Sequence, residues 1–361
     1  MWARWLVVLL TAVALVVTPL LVPRLTGAAQ APVGSDSASE LAERVRRSAT
    51  VGWSGLAETA GTLQVPDSDS FATLALLLGE TSQLRVWWRS PDDWRVDRIR
   101  GTGETDLFRQ RAMSVRWVFE SETATYSPVS KIRLPDESDL VPPTLARFLL
   151  QGAREDELGR LPDRVVAGVR AGGLRLTPRD PATTIGHVDL WVDSASGLAL
   201  RVEVYGRADQ RPVLSTYLRE VDVEVPASAT TEFVPHEGVS LNYEESVDVA
   251  ARANALAPYD LPSSLGGLPS RAGDDPDAVG VYGRGPTTVI ALPLRGRIAW
   301  QLRDRLHGSA NAQQTAAGVL APVGPVLLLV TPPPERDAFL LAGTVTAETL
   351  QRAATELAAV P

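Results

Sequence analysis

The residue types that do covalent and acid–base chemistry are sparse in this chain. It has three histidines, His187, His236 and His307, and no two stand at the H-x-x-x-H spacing that would aim two ring nitrogens at one zinc ion. It has no cysteine, which excludes thiolate nucleophiles, disulfides, cysteine-bound zinc, iron–sulfur clusters and a lipid-modified N-terminal cysteine. No G-x-S-x-G elbow presents a serine, no G-x-x-x-x-G-K-[ST] loop cradles phosphate, and no G-x-G-x-x-G follows a strand. The acidic run Gly273-Asp274-Asp275-Pro276-Asp277 lacks the twelve-residue loop and closing glutamate of a calcium site, so it reads as a solvated turn. Asp136-Glu137-Ser138-Asp139 reads as a wet loop before Pro142-Pro143. His187 falls on the polar side of an alternating strand, and His307 before Gly308 suits a helix C-terminus, where positive charge meets the dipole. The expectation is therefore no catalytic residue, no metal and no cofactor.

Tryptophan placement is the feature that remains. Five of the nine tryptophans lie between positions 53 and 117: Trp53, Trp87, Trp88, Trp94 and Trp117. Ordinary core and sheet-face packing is one account of them. The functional account is a broad apolar hollow, and a wall of aromatic and aliphatic side chains with few polar groups suits an acyl chain better than a polar substrate. At ~0.8 kcal/mol per buried methylene, about ten methylenes give roughly 8 kcal/mol before ordering costs, a dissociation constant on the order of micromolar at best. That is an affinity from which a carrier can still release.

The elements that would position such a wall are strands. From Trp53 to about Val225 apolar and polar residues alternate: Leu84, Val86 and Trp88; Val115, Trp117 and Phe119; Val188, Leu190 and Val192; Leu198, Leu200, Val202 and Val204. A period of two means antiparallel sheet with one apolar and one wet face. Ser90-Pro91-Asp92-Asp93 and Asp193–Gly197 are hairpin turns. Two stretches read as helices able to cover the apolar face: Phe71–Leu78, and Pro143–Gln151 with proline at its start and Gly152 after its end. A third short helix follows Ser39 as its cap.

The wall is expected from Val86, Trp88, Trp94, Val96, Val115, Trp117, Leu190, Val192, Leu200 and Val202. The lid is expected from Phe71, Leu74, Leu77, Leu78, Leu145, Phe148 and Leu149. The stretch from Trp94 to Ile99 does not alternate cleanly, so a bulge there would reverse the face and make Trp87 the inward residue.

Of 361 residues 45% are hydrophobic and 22% charged, a globular composition. The formal charge of −8 argues against nucleic acid as a partner. Residues Trp5–Val22 form 18 consecutive uncharged positions, roughly 27 Å as a helix, close to a hydrocarbon core. One reading is a retained single-span anchor. The other is a leader cleaved near Ala29-Gln30-Ala31. Both place the remainder outside the cytoplasm.

The expected division is 1–25 anchor or leader, 26–38 tether, 39–242 the sheet domain and 243–261 a linker helix. A small α/β unit at 262–361 follows, in which Thr346 caps a last helix with Leu350, Ala354, Leu357 and Ala358 on one face and 308–324 is a loose connection.

LRVWWRSPDDWRVDRI at 84–99, GETDLFR at 103–109 and LRLTPRDPATTIGHVDLWVDSASGLALRVEVYG at 174–206 resemble the lipoprotein-carrier (LolA-like) superfamily. More closely, they resemble actinobacterial proteins similar to the N-terminal domain of the sigma-E regulator RseB/MucB. The hairpin VDSASGLAL matches that family's V-D-x-x-x-G-L-x-L turn, and the resemblance covers roughly 40–240. It implies an α+β fold, an antiparallel half-open β-barrel covered by helices, and a concave side that binds acyl chains of a lipid or lipoprotein. It carries over no catalytic residue. The resulting expectation is a non-enzymatic, extracytoplasmic, membrane-tethered carrier or envelope sensor. The alternative is a regulator whose C-terminal unit binds an anti-sigma factor or a membrane transporter.

Overall fold

The Ser37 side chain accepts a hydrogen bond from the Glu40 amide at 3.2 Å, while the Glu40 carboxylate accepts one from the Ser37 amide at 2.7 Å. This reciprocal cap starts α1 (Ala38–Arg47). Ser37, not Ser39, is thus the cap, because only Ser37 has a glutamate three positions on. The computed structural model describes residues 34–63, 77–101, 103–129, 135–243, 261–271, 279–309, 311–332 and 337–359. Phe71, Leu74, the expected anchor or leader, nearly all of the expected linker helix and the acidic run 273–277 lie outside those residues.

Twelve strands form the first sheet: β1 (Trp53–Gly61), β2 (Thr81–Ser90), β3 (Asp93–Arg100), β4 (Gly103–Gln110), β5 (Met113–Val118), β6 (Thr123–Pro128), β7 (Leu158–Val166), β8 (Val169–Leu176), β9 (Ile185–Val192), β10 (Ala199–Gly206), β11 (Leu214–Asp222) and β12 (Ser240–Tyr243). Their order is β12-β6-β5-β4-β3-β2-β1-β11-β10-β9-β8-β7, so two meanders meet where β1 pairs with β11. All pairs are antiparallel except β12 with β6. The edge strands β12 and β7 do not pair with each other, so the sheet is not closed. Tyr243, expected to open a linker helix, ends β12 instead.

Directly opposed residues share a face. Trp53, Trp88 and Trp94 are opposed across β1, β2 and β3. Val86 opposes Val96, which opposes Leu107, and Val202 opposes Leu190, which opposes Leu174. This inner face packs against Leu41, Ala42 and Val45 of α1 and Leu145, Ala146 and Leu149 of α2 (Pro142–Leu149) as one hydrophobic core. Proline at the start of α2 supplies the fixed φ a first turn needs, and Gly152, at φ +68°, turns the chain out after it.

The second sheet follows a two-strand pair, β13 (Ser264–Leu265) with β14 (Leu268–Pro269). Its strands are β15 (Gly280–Arg284), β16 (Thr287–Arg295), β17 (Gln313–Thr315), β18 (Gly318–Val323), β19 (Val326–Val330) and β20 (Asp337–Gly343), ordered β15-β16-β20-β19-β18-β17. The 308–324 connection is therefore not loose, since it carries β17 and β18.

Helix α3 (Gly296–His307) packs Ala299, Leu302 and Leu306 in one cluster. Helix α4 (Ala347–Ala358), capped by Thr346, packs Leu350, Ala353, Ala354 and Leu357 in another, while Ala358 is exposed. The two sheets touch through backbone: Thr184 donates to the Thr344 carbonyl at 3.0 Å, and Thr346 to Ala182 at 2.7 Å. Val323 joins the first core. No helix among the described residues is long and apolar enough to cross a membrane.

Candidate functional site

The inner face is built by alternation. Val86 and Trp88 in β2, Trp94 and Val96 in β3, Leu190 and Val192 in β9, Val202 in β10, and Leu200 beside a bulge at the start of β10 are all buried in the first core. Strand β3 keeps a regular register through Arg98; the irregularity lies in β2, between Trp88 and Ser90. Trp87 consequently opposes Arg95 and faces outward. Leu77, Leu145 and Leu149 belong to the same core, Leu78 packs against it half-buried, and Phe148 is 48% exposed.

Val115 and Trp117 do not join this wall. Val115 opposes Phe108 and Tyr126, and Trp117 opposes Ala124, which forms a separate cluster with Phe233 and Val239. Trp117 lies 5.6 Å from the Phe233 ring and 5.7 Å from His236. The chain after β11 crosses the outer side of β4–β6 and covers these residues, so here the apolar stripe turns outward. Alternation shows which residues share a face, not which face is covered.

What takes the inward seats in this part of the sheet is arginine. Arg116 opposes the inner-facing Leu107, and Arg109 opposes Trp94. Arg98 follows Trp94 and Val96 on the same face and is buried. Arg116 reaches Glu137 with two hydrogen bonds, 3.1 and 3.2 Å, and the Arg98 Nε lies 3.4 Å from the same carboxylate. Burial pushes the Glu137 carboxyl up, and the guanidinium groups of Arg116 and Arg98 outweigh it, holding it below the ordinary carboxylate range. Glu137 is thus a buried counter-ion rather than part of a wet loop.

Trp88 and Trp94 stack with ring centroids 5.8 Å apart and planes 2° from parallel. Their indole N–H groups donate to the carbonyls of Ala49 at 3.0 Å and Pro91 at 3.2 Å. Arg147 of α2 lies over Trp88 at 5.4 Å. Its one hydrogen bond among the described residues is to the Thr144 hydroxyl, 3.2 Å, and it meets no carboxylate there. Burial pulls its pKa down to about 10, so it stays charged at neutral pH. The inward arginines were not legible as site residues, because in a two-residue period an arginine reads as the wet side.

The outer face is polar and densely paired. Arg95 lies 5.0 Å from the Trp87 ring and 4.9 Å from Phe108, and it binds Asp97 at 2.6 Å and Asp106 at 2.8 Å. Asp97 and Asp106 are directly opposed and buried. Burial and the neighbouring Asp97 raise the Asp106 carboxyl to about 7, and burial raises Asp97 as well. With Glu104 they bring three carboxylates within 4.8 Å, two of which, Asp97 and Asp106, are already paired with Arg95.

His187 stacks on Tyr205 at 4.3 Å, and burial followed by Arg175 lowers its pKa. It sits on the outer face, as its place in the alternation implied. An open depression of about 650 Å3 between α1 and the Asp193–Gly197 turn is lined by Glu40, Glu43, Arg44 and Arg47, and none of the inner-face residues named above lines it.

The likeness to known proteins is one of fold. A crystal structure of MucB superposes with TM-score 0.50 at 15% identity, over 88% of this chain and 96% of that one. The Pseudomonas aeruginosa MucA/MucB complex matches with TM-score 0.48, 16% identity and the same coverage. A LolA superfamily protein from Nitrosomonas europaea matches with TM-score 0.25, 14% identity, over 55% of this chain and 99% of that one. No family model matches the chain, and no curated protein matches it by sequence. The fold likeness to MucB covers 88% of the chain and so extends beyond the 40–240 of the sequence resemblance.

Proposed function

We propose that the chain is a non-enzymatic binding protein that takes the acyl chains of a lipid or lipoprotein on the inner face of the first sheet. The observation that carries this reading is how that face is capped. Two short helices, α1 and α2, cover the apolar wall, and α2 is framed by Pro142-Pro143 on one side and Gly152 on the other. Both ends interrupt helix, so α2 can swing as a unit without unwinding neighbouring structure.

The broad hollow expected from the tryptophans does not stand open: the wall is packed closed against the cap helices, with Val86, Val96, Leu190 and Val202 fully buried. An acyl chain enters by lifting α2 and takes over the contacts that Leu145 and Leu149 make. Leu77, Leu78 and Phe148 complete the cap. The protein acts outside the cytoplasm, tethered through residues 5–22 or released after cleavage. Lipid mass spectrometry of the purified full chain tests the proposal, together with thermal shift on adding medium-chain fatty acids. Co-purified lipid and a raised Tm support it; no lipid and no shift overturn it.

A second reading has its own observation. Ile298 and Trp300 of α3 are 56% and 61% exposed. Two positions apart, they stand on opposite flanks of the helix, and each large apolar side chain left in water suits a partner surface. In this reading the second sheet and α3 bind a membrane protein, an anti-sigma factor or a transporter, and the first sheet is scaffold. Capture of such a protein that is lost in Trp300→Ser and indifferent to lipid favours it.

A further inference from the structure

Buried polar atoms in a folded protein find partners, and the exceptions call for an explanation. Among the described residues, buried guanidinium nitrogens without a hydrogen bond fall on Arg98 (Nε and Nη1), Arg109 (Nε), Arg147 (Nη1) and Arg160 (Nε). All but Arg160 belong to one place, the inner wall around the tryptophan stack and the helix above it. The geometry runs as a row. Arg147 lies over Trp88, Trp88 stacks on Trp94, and Trp94 is directly opposed by Arg109. Arg98 lies further along β3 on the same face.

Carboxylates satisfy this set only in part: Arg98 and Arg109 each meet one, and Arg147 meets none among the described residues. Glu137 already serves Arg116, and its oxygen is 3.4 Å from Arg98. Arg109 donates to the Asp92 carboxylate at 3.3 Å through one terminal nitrogen, but that partner is 70% exposed and leaves the Arg109 Nε unbonded. An uncompensated buried cation is costly to a fold unless an anion joins it.

We propose that Arg147 and Arg109 form a site for an anionic headgroup, phosphate or carboxylate, of an acyl amphiphile, with the Trp88–Trp94 stack as its floor and Arg98 in reserve along the wall. This rests on the reading of the inner face as an acyl-chain surface and adds the chemistry of the head. Guanidinium donors suit such groups because their N–H fork matches the spacing of two anionic oxygens. The flat indoles beside them accept the first methylenes of the chain. Because Arg147 rides on α2, binding the head and moving the cap become one event.

The test uses the purified full chain and three probes below their micellar concentrations: dodecyl phosphate, dodecyl maltoside and inorganic phosphate. Binding is followed by titration calorimetry and tryptophan fluorescence. Dodecyl phosphate is expected to bind about ten-fold or more tighter than dodecyl maltoside at low salt, with the gap shrinking as salt screens it. Arg147→Gln and Arg109→Gln are each expected to bring that ratio to about two-fold or less.

Equal binding of the two amphiphiles overturns the headgroup site and leaves the acyl-chain reading standing. Failure of both to bind overturns both. Inorganic phosphate binding as tightly as dodecyl phosphate assigns the arginines to a free anion and overturns the amphiphile. Should a glutamine variant fold poorly, the wild-type salt dependence decides. Arg147→Met adds an independent readout: an unsatisfied cation predicts a higher Tm, and a lower one contradicts the inference.

Discussion

Arg284 of the second sheet grips Glu157 with both terminal nitrogens, each 2.7 Å from a carboxylate oxygen, and the same guanidinium donates to the Gly152 carbonyl at 2.8 Å. Glu157 stands just before β7 and Gly152 just after α2, so one side chain ties the second sheet to the strand edge and to the hinge of the cap. Arg271 adds to this by lying 5.7 Å from the Phe148 ring. Arg284→Ala leaves a buried carboxylate without its cation and is expected to cost about 3 kcal/mol in urea unfolding. It also releases the end of α2, so amide exchange across 142–152 rises. Unchanged exchange there refutes the tie between the second sheet and the cap.

The same pair sets an acid limit. Burial raises the Glu157 carboxyl, but hydrogen bonds from Arg284 and from the Arg179 and Arg154 amides bring it down to about 2. Its folded pKa lies below the unfolded value near ~4.3, so its contribution is fully present above that value and is lost as pH falls toward about 2. Glu157→Gln is expected to flatten the Tm profile between pH 5 and pH 2, a window set by the two pKa values. A wild-type profile already flat in that window goes against the Glu157 clasp.

Asp97 and Asp106 act in the opposite sense. Asp106, with a carboxyl near 7, holds a proton in the fold that the unfolded chain gives up near ~3.9. Its contribution therefore falls as pH rises from about 4 to about 7 and is level above that. Asp106→Asn keeps an acceptor for Arg95 and removes the second negative charge. It is expected to raise Tm more at pH 8 than at pH 4, values chosen on either side of that window. An equal change at both values shows that the two carboxylates do not compete.

The two faces give a paired test. Trp88→Ala and Trp117→Ala each empty an aromatic seat and are expected to destabilise by about 3 kcal/mol. Only Trp88→Ala is expected to weaken dodecyl phosphate binding, because Trp117 belongs to the outer cluster with Phe233. Equal loss of affinity in both variants would show that the ligand does not use the inner face.

Much of the architecture could be read from spacing. The strands of 53–222, the hairpin turned by Gly197 at φ +77° and the helix framed by proline and Gly152 are all local patterns, and local physics writes them into nearby residues. The misplacement of Val115 and Trp117 has a different origin. Their face was decided by the segment carrying Phe233 and Val239, which lies more than a hundred residues further on. Arg98, Arg109 and Arg147 were invisible for a related reason. Whether an arginine meets water or tryptophan depends on a helix laid across the sheet, and no window along β3 or β4 contains that helix.

The pairing of β1 with β11 dictates the order in which the molecule can be made. Trp53–Gly61 emerges early from the ribosome, yet half of its hydrogen-bond ladder waits for Leu214–Asp222. Until then β2–β6 form a meander that lacks the seam joining it to β7–β10, and long-range closure of this kind is slow and prone to sticking. The chain is therefore expected to stay prone to sticking until the eleventh strand arrives. A truncation ending before position 214 should accumulate as aggregate rather than as a smaller folded unit.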